Sequence, residues 1–391
     1  MKYDRAFFDA GIDRRGTQSV KWAARGIMEE GMVPLWVADM DFACAQPIVD
    51  ALHQRADHAC FGYTFPGPED SGALISFWRR RHKLALLPGY LVMLPTVVAG
   101  LRACVQTMTH PGDGVIIQSP VYGPFLDAVC ESGRMVLDAG LRRDEQGRYT
   151  MDYEAIERFL QQGARLMILC NPHNPVSRAW TQEELRALLS LLNRYKARLV
   201  TDEIHADFVY SPREFVPVLS LPEAREDTVM LVAASKTFNI AGLQQATAIC
   251  RDPDVVAMLR RYLERSGAQC GNIFALAGTR AAYQHCDDWL DGLLQYLQAN
   301  QEALTGLLSD LLPHAVLTPM EATYLAWVDI RAYDTPNCEV GSRCKKHGVA
   351  LTDGQFFGMS TGEGFMRINY GCPQGQLLEG VQRFAHAVKE G

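Results

Sequence analysis

From residue 91 to about residue 250, short apolar runs alternate with longer segments of helical character. GVIIQS (114–119), RLMILC (165–170), ARLVTDE (197–203) and TVMLVAAS (228–235) are four such runs, and QATAIC (245–250) is a candidate fifth. Continuous apolar runs of this length predict strands buried on both faces. Helices fit between them, notably TQEELRALLSLLNRYK (181–196), with Thr181 as N-cap and Glu184 at the capping-box position. Strands alternating with helices predict a mostly parallel sheet covered on both sides.

Outside this stretch the rhythm changes. The first 45 residues read as irregular, with one apolar stretch, VPLWVADMDF. Helical patterning starts near Pro47 and runs through PIVDALHQRA. A Gly/Pro-rich loop, FGYTFPGPED, leads into a helix over SGALISFWRRRHKL. Beyond residue 251 come helical stretches, including CDDWLDGLLQYLQANQEALTGLLSDL, then strands at TYLAWVDI and FMRINYG and a helix over GQLLEGVQRFAHAVKE. This pattern predicts a second, smaller α+β domain packed against the first, with no repeat and no low-complexity linker. Residues 46–285 are expected to form the large domain. Residues 1–45 and 286–391 are expected to form the small one.

Composition narrows the function classes. The 391 residues are 48% apolar and 21% charged, ample for a sizeable core. A net charge of −7 with no basic block argues against a nucleic-acid surface. MKYDRAFFDAGIDRRG resembles neither a signal peptide nor an anchor, and no apolar run approaches the roughly 20 residues of a spanning helix. The 11 cysteines are scattered from Cys44 to Cys372 without a Cys-x-x-Cys pair, so free thiols in a cytoplasmic protein are expected. The 10 histidines show no zinc spacing, and no metal site is expected. His173 and His205 fall in loops of interest, where either could be a plain hydrogen-bonding residue.

The strand ends supply the candidate chemistry. SPVYGP, NPHNPVS, DEIHADF and SKTFN follow the four main strands. Ligands of open α/β sheets bind outside the carboxyl ends of the strands, so Tyr122, Asn174, Asp202, Ser235 and Lys236 are expected to converge. A lysine desolvated among small residues becomes a nucleophilic amine, as Schiff-base chemistry requires. Pyridoxal phosphate (PLP) is the common aldehyde cofactor, and it needs an acid beside its pyridine nitrogen. Asp202 is placed for that, Asn174 for the phenolic oxygen and Tyr122 for the ring face. Ser235 and PTVVAGLRA (95–103), read as opening a helix, suit the phosphate. Singly, each residue has a plain competitor. A lysine after a strand is ordinarily on the surface, Asp-Glu could start a helix or bind magnesium, and Asn-Pro-x-Asn-Pro could be only a turn. Their order at successive strand ends is what favours a common site.

SKTFNIAGL, NPHNP, TDEIHADF, GYTFP, PLWVADMDF and MRINYGCP together resemble fold type I PLP-dependent enzymes. More narrowly, they resemble the MalY/PatB-type cystathionine β-lyase (C–S lyase) family, from DRRGTQSVKW (13–22) to the last strand. The resemblance implies an aspartate aminotransferase-like α/β fold, with a mostly parallel seven-stranded sheet in the large domain. It implies a catalytic set of Lys236, Tyr122 and Asp202. Lys236 carries the cofactor as a Schiff base and then serves as base at the substrate Cα. Asp202 pairs with the pyridine nitrogen, Asn174 bonds the phenolic oxygen and Tyr122 stacks on the ring. Ser235 and the backbone at Thr96 and Val97 hold the phosphate, and His205 is a further cofactor contact. Arg367 grips the substrate carboxylate, a task suited to a planar guanidinium, with Ala38 and Asn174 as further substrate contacts. Tyr63 is expected to reach the phosphate of a neighbouring subunit, which implies a homodimer with shared active sites.

Three positions depart from the family pattern. Thr96 stands where glycine is frequent, Ser177 replaces the glycine of NPHNPxGR, and Gln374 ends CPQ where CPR is usual. None removes a catalytic group. The expected reaction is β-elimination of L-cystathionine or another cysteine S-conjugate to pyruvate, ammonia and a thiol. The alternative is an aminotransferase of the same fold, marked by a second arginine for a side-chain carboxylate. A regulatory role through protein contacts is compatible with either.

Overall fold

The computed structural model describes residues 2–25, 27–269 and 271–390. Seven strands form the main sheet: β1 (Leu91–Leu94), β2 (Gly114–Ile117), β3 (Met135–Asp138), β4 (Leu166–Cys170), β5 (Arg198–Asp202), β6 (Val229–Val232) and β7 (Ala246–Ile249). Their spatial order is β1-β7-β6-β5-β4-β2-β3. β7 runs antiparallel to both neighbours, and the other pairs are parallel. The apolar runs are continuous because successive side chains enter two different cores. Val115 and Ile117 join Leu101, Cys104 and Leu259 on one face. Ile116 joins Leu185, Leu188 and Leu192 on the other.

The five strands expected from apolar runs are present, and β1 and β3 add to them. β1 is four residues cut short by Pro95, and β3 is a partly exposed edge strand, so neither makes a long apolar run. The helix Gln182–Arg194 starts as expected. Thr181 Oγ1 accepts from the Glu184 N–H at 3.2 Å, and Glu184 Oε2 accepts from the Thr181 N–H at 2.8 Å. The run through Ser235 is shorter than the apolar pattern suggests: β6 stops at Val232, and Ala234–Thr237 forms one helical turn.

A second, antiparallel sheet comprises β8 (Val316–Leu317), β9 (Leu325–Asp329), β10 (Thr352–Asp353) and β11 (Phe365–Asn369), in the order β8-β9-β11-β10. The first 45 residues are more structured than their pattern suggests. They hold helices Arg5–Ala10 and Val20–Ala23, and Val33–Pro34 pairs in parallel with Val349–Ala350. The Asn369 N–H donates to Leu35 O at 2.9 Å, fastening this segment to the smaller sheet. Among the described residues, no helix is long and apolar enough to cross a membrane.

Candidate active site

A cavity of about 380 Å³ lies outside the carboxyl ends of β4, β5 and β6. Ala38, Thr96, Val97, Tyr122, Asn174, Asp202, His205, Ser235, Lys236 and Arg367 all line it. Of the expected cofactor and substrate contacts, Tyr63 stands apart, outside the cavity and 96% exposed; His173, the other histidine of interest, is fully buried outside it.

Lys236 sits on the single turn Ala234–Thr237. Thr237 Oγ1 anchors that turn by donating to Asp207 at 2.7 Å, and Asp207 also meets His82 Nε2 at 2.9 Å. The Lys236 Nζ donates to the Ala38 carbonyl at 2.5 Å, a partner 198 positions away. Burial lowers its pKa to about 8; Asp39 and Asp202 oppose the shift, while Arg367 and Lys21 add to it. The amine is thus poised to lose its proton near neutrality, which a nucleophile requires.

Asp202 ends β5, and its Oδ1 accepts from the Ile204 N–H at 3.0 Å. Burial raises its pKa to about 7, against the pull of that N–H and of Lys236. His205 is buried nearby with Nδ1 lacking a partner, and burial, Lys236 and Arg367 push its pKa down to about 3. The Tyr122 ring lies 6.2 Å from that of Phe356, at the edge of the cavity.

Arg367 lies on β11, opposite Trp327 on one side and Thr352 on the other. Its Nη1 donates to Asn174 Oδ1 at 3.1 Å, and its Nη2 donates to Trp36 O at 2.7 Å and Thr352 Oγ1 at 3.2 Å. The guanidinium stacks 4.7 Å from the Phe357 ring centroid. It is 4% exposed, and burial lowers its pKa to about 10. Its hydrogen-bond partners include no carboxylate, and Nε has no partner at all. A buried cation held only by neutral groups is a receptor for an anion.

The helix Val97–Met108 points its N-terminus into the cavity. Thr96 Oγ1 caps it by accepting from the Ala99 N–H at 3.1 Å. Val97 and Val98, first in the helix, have N–H groups without intrahelical acceptors. The threonine hydroxyl at this departure position therefore serves the helix. Ser177 adopts the left-handed φ of 54°, which explains why glycine suits the position. Its hydroxyl compensates by bonding Leu325 O and Thr323 Oγ1. Gln374 lies outside the cavity, its Oε1 accepting from Arg5 at 2.8 Å.

The cavity also includes Trp36, Gln244, Gln245, Thr352 and Phe356, which sequence reasoning did not single out. Trp36 lay within a quoted motif but contributes its carbonyl, which leaves no residue signature. Gln245 opened the run QATAIC without being read as a site residue, and Gln244, Thr352 and Phe356 come from a turn, an edge strand and a short 3-10 helix without a pattern of their own. Among the described residues, no cluster of three or more His, Cys, Asp or Glu is arranged to hold a metal.

The partnerless polar atoms test the fit of a cofactor. His205 Nδ1, Arg367 Nε and Gln245 Oε1 are buried without partners around the cavity. Anion-binding N–H groups at one end and a buried amine and carboxyl in the middle fit PLP. The Arg367 guanidinium lines the same cavity.

The aminotransferase class I and II family model matches residues 30–384. The chain is 39% identical over 386 residues to cystathionine beta-lyase PatB of Bacillus subtilis (strain 168), covering 97% of this chain and 99% of that protein. It is 31% identical to Protein MalY of Escherichia coli (strain K12), covering 98% of each. The solved PLP-bound C–S lyase from Staphylococcus hominis matches with a TM-score of 0.91 at 29% identity, covering 98% of each chain.

Proposed function

The chain belongs to the aminotransferase class I and II family and, within it, to the cystathionine β-lyases of PatB type; from that premise we propose how its cavity performs β-elimination. The protein is a PLP-dependent C–S lyase acting on L-cystathionine or another cysteine S-conjugate, with pyruvate, ammonia and a thiol as products.

When bound, PLP supplies an aldehyde for covalent capture of an amine and a ring that withdraws electrons from the substrate Cα. Lys236 is the amine that holds it. Lys236 would also be the base that takes the proton from the substrate Cα. Asp202 would keep a proton on the ring nitrogen, Tyr122 would cover the ring and Asn174 would bond the phenolic oxygen. His205, kept neutral by burial, is a further contact. The Val97 and Val98 N–H groups and the Ser235 hydroxyl hold the phosphate, with Thr96 shaping that turn. Arg367 binds the substrate carboxylate through its paired N–H groups. The Trp36 carbonyl and Asn174 fix its plane, and Ala38 borders the substrate.

One observation carries this reading: a buried lysine and a buried arginine without a carboxylate partner share one cavity. They match the two ends of an α-amino acid. Arg367 is the only arginine among the described lining residues, so no second guanidinium stands ready for the side-chain carboxylate of a transaminase substrate.

We further propose a homodimer with shared sites. Tyr63, Phe61 and Phe65 form an exposed aromatic group outside the cavity, as an interface would leave on one subunit. The proposed domain division is supported by the pairing of Val33–Pro34 with Val349–Ala350 and by the packing of Asp287–Leu311 on Gln374–Lys389. A cytoplasmic location is supported by the ten described cysteines, all free.

The deciding experiment mixes purified, PLP-loaded protein with L-cystathionine and no keto acid. Equal and repeated release of pyruvate and thiol is expected. Loaded protein that releases neither from cystathionine nor from S-alkyl cysteines overturns the reading.

A further inference from the structure

The motif DRRGTQSVKW takes no part in the chemistry above, yet the structure pairs two of its cations with the segment whose residues 36–38 line the cavity. Arg14 Nη2 meets Asp39 Oδ2 at 2.7 Å, and Arg14 Nη1 meets Asp41 Oδ1 at 3.0 Å. The Lys21 Nζ meets Asp41 Oδ2 at 2.8 Å and donates to Asp39 O at 3.0 Å. Lys21 is 0% exposed and Asp41 1%. The Trp22 and Gln376 side chains donate to the remaining positions on Asp41, each at 2.9 Å. The two cations and two anions cancel in charge.

The segment bearing Asp39 and Asp41 turns its other side to the cavity. Its Trp36 carbonyl accepts from Arg367, and its Ala38 carbonyl accepts from Lys236 and, at 2.9 Å, from Tyr324. Asn239, three residues after Lys236, brackets it by accepting from the Met40 N–H at 3.0 Å and donating to the Met40 carbonyl at 2.9 Å. One short strap therefore touches both groups proposed to hold the amino acid. An apolar cluster could bury such a strap at no loss of stability, but it would not fix the direction of two carbonyls.

We propose that Arg14 and Lys21 are positioning residues, which act through Asp39 and Asp41 to hold strap 36–41 so that its carbonyls orient the Arg367 guanidinium and the Lys236 amine. This rests on the roles given above to Lys236 and Arg367. The charged and titratable groups facing Lys236 are Asp39 on the strap, Asp202 after β5, Arg367 on β11, Lys21 and His205. Of these, Asp39 and Lys21 belong to the quartet.

The test uses full-length Arg14→Met, Arg14→Lys and Asp39→Asn proteins. In cofactor-free protein, the pH dependence of Lys236 acylation is read by peptide mass spectrometry. In loaded protein, KM and kcat are measured with L-cystathionine, and thermal unfolding checks the fold. Arg14→Met should raise KM roughly 10- to 100-fold and move the Lys236 labelling midpoint to higher pH, because Asp39 loses the cation that offsets it, with partial rescue by Arg14→Lys. Asp39→Asn should move the labelling midpoint to lower pH, because the lost carboxylate favoured the ammonium. A folded Arg14→Met with native KM and native labelling overturns the proposal. If Arg14→Met fails to fold, Asp39→Asn decides by the same two readouts. A borohydride-fixed cofactor on another lysine would overturn the reading of the site instead, leaving the labelling comparison to judge the strap.

Discussion

Arg367→Met removes the cavity's buried guanidinium while keeping much of its volume. A bidentate guanidinium–carboxylate pair contains two charge-assisted hydrogen bonds, each worth about 1.5–3 kcal/mol net. Together they amount to about 3–6 kcal/mol, or roughly 10²- to 10⁴-fold in kcat/KM. The loss should fall mainly on KM, because the carboxylate is held alike before and during the reaction. Stability should move far less, because two effects oppose. The substitution strands the Asn174 and Trp36 acceptors, at about 1–3 kcal/mol each. It also relieves the burial of a cation whose pKa is already lowered to about 10. Pyruvate release across a range of cystathionine concentrations, with thermal unfolding of the same sample, reads both quantities. A folded, cofactor-loaded variant with native KM would refute the carboxylate role.

Three further outcomes are expected. Lys236→Ala should lose turnover and the covalent cofactor, and in the unsubstituted protein cofactor capture should rise through about pH 8 and then level off; capture still climbing toward pH 10 contradicts the desolvated amine. Asp202, raised from 3.8 to about 7 without cofactor, stabilises the folded state below pH 3.8, and that contribution is lost as pH rises through 7. Cofactor-free Asp202→Asn should therefore gain in unfolding temperature over the unsubstituted protein between pH 5 and pH 8, while its loaded form loses turnover; a gap that does not widen with pH counts against the buried carboxyl. Tyr63→Ala should weaken cofactor retention, and co-refolding it with Lys236→Ala should recover activity from hybrid sites; no recovery rules out sharing.

The sheet was readable where burial on both faces made the apolar runs long, as at Leu166–Cys170 and Arg198–Asp202. It was unreadable at Met135–Asp138, whose edge position leaves Met135 exposed, and at Leu91–Leu94, where Pro95 intervenes. The reversed direction of Ala246–Ile249 was also hidden, because an apolar run has no polarity. The Thr181–Glu184 cap was legible because it is local. In the site, the strand-end residues converge as their order suggested. What escaped was the long-range part. Lys236 has no acidic neighbour in sequence, and its partner proves to be a backbone carbonyl, which any residue could provide. Phe356 and Thr352 join the cavity through tertiary placement alone.

The strap also sets a timetable for synthesis. Trp36 meets Arg367 across 331 positions, and Asp39 O meets Asn369 across 330. Residues 36–41 leave the ribosome long before strand Phe365–Asn369 exists, and until then the Trp36 carbonyl lacks its Arg367 partner and the Asp39 carbonyl lacks Asn369. A nascent chain that has already formed the seven-stranded sheet holds Lys236 without the arginine that completes the substrate site. The cavity lining is complete only once Phe365–Asn369 has docked on a segment made at the outset.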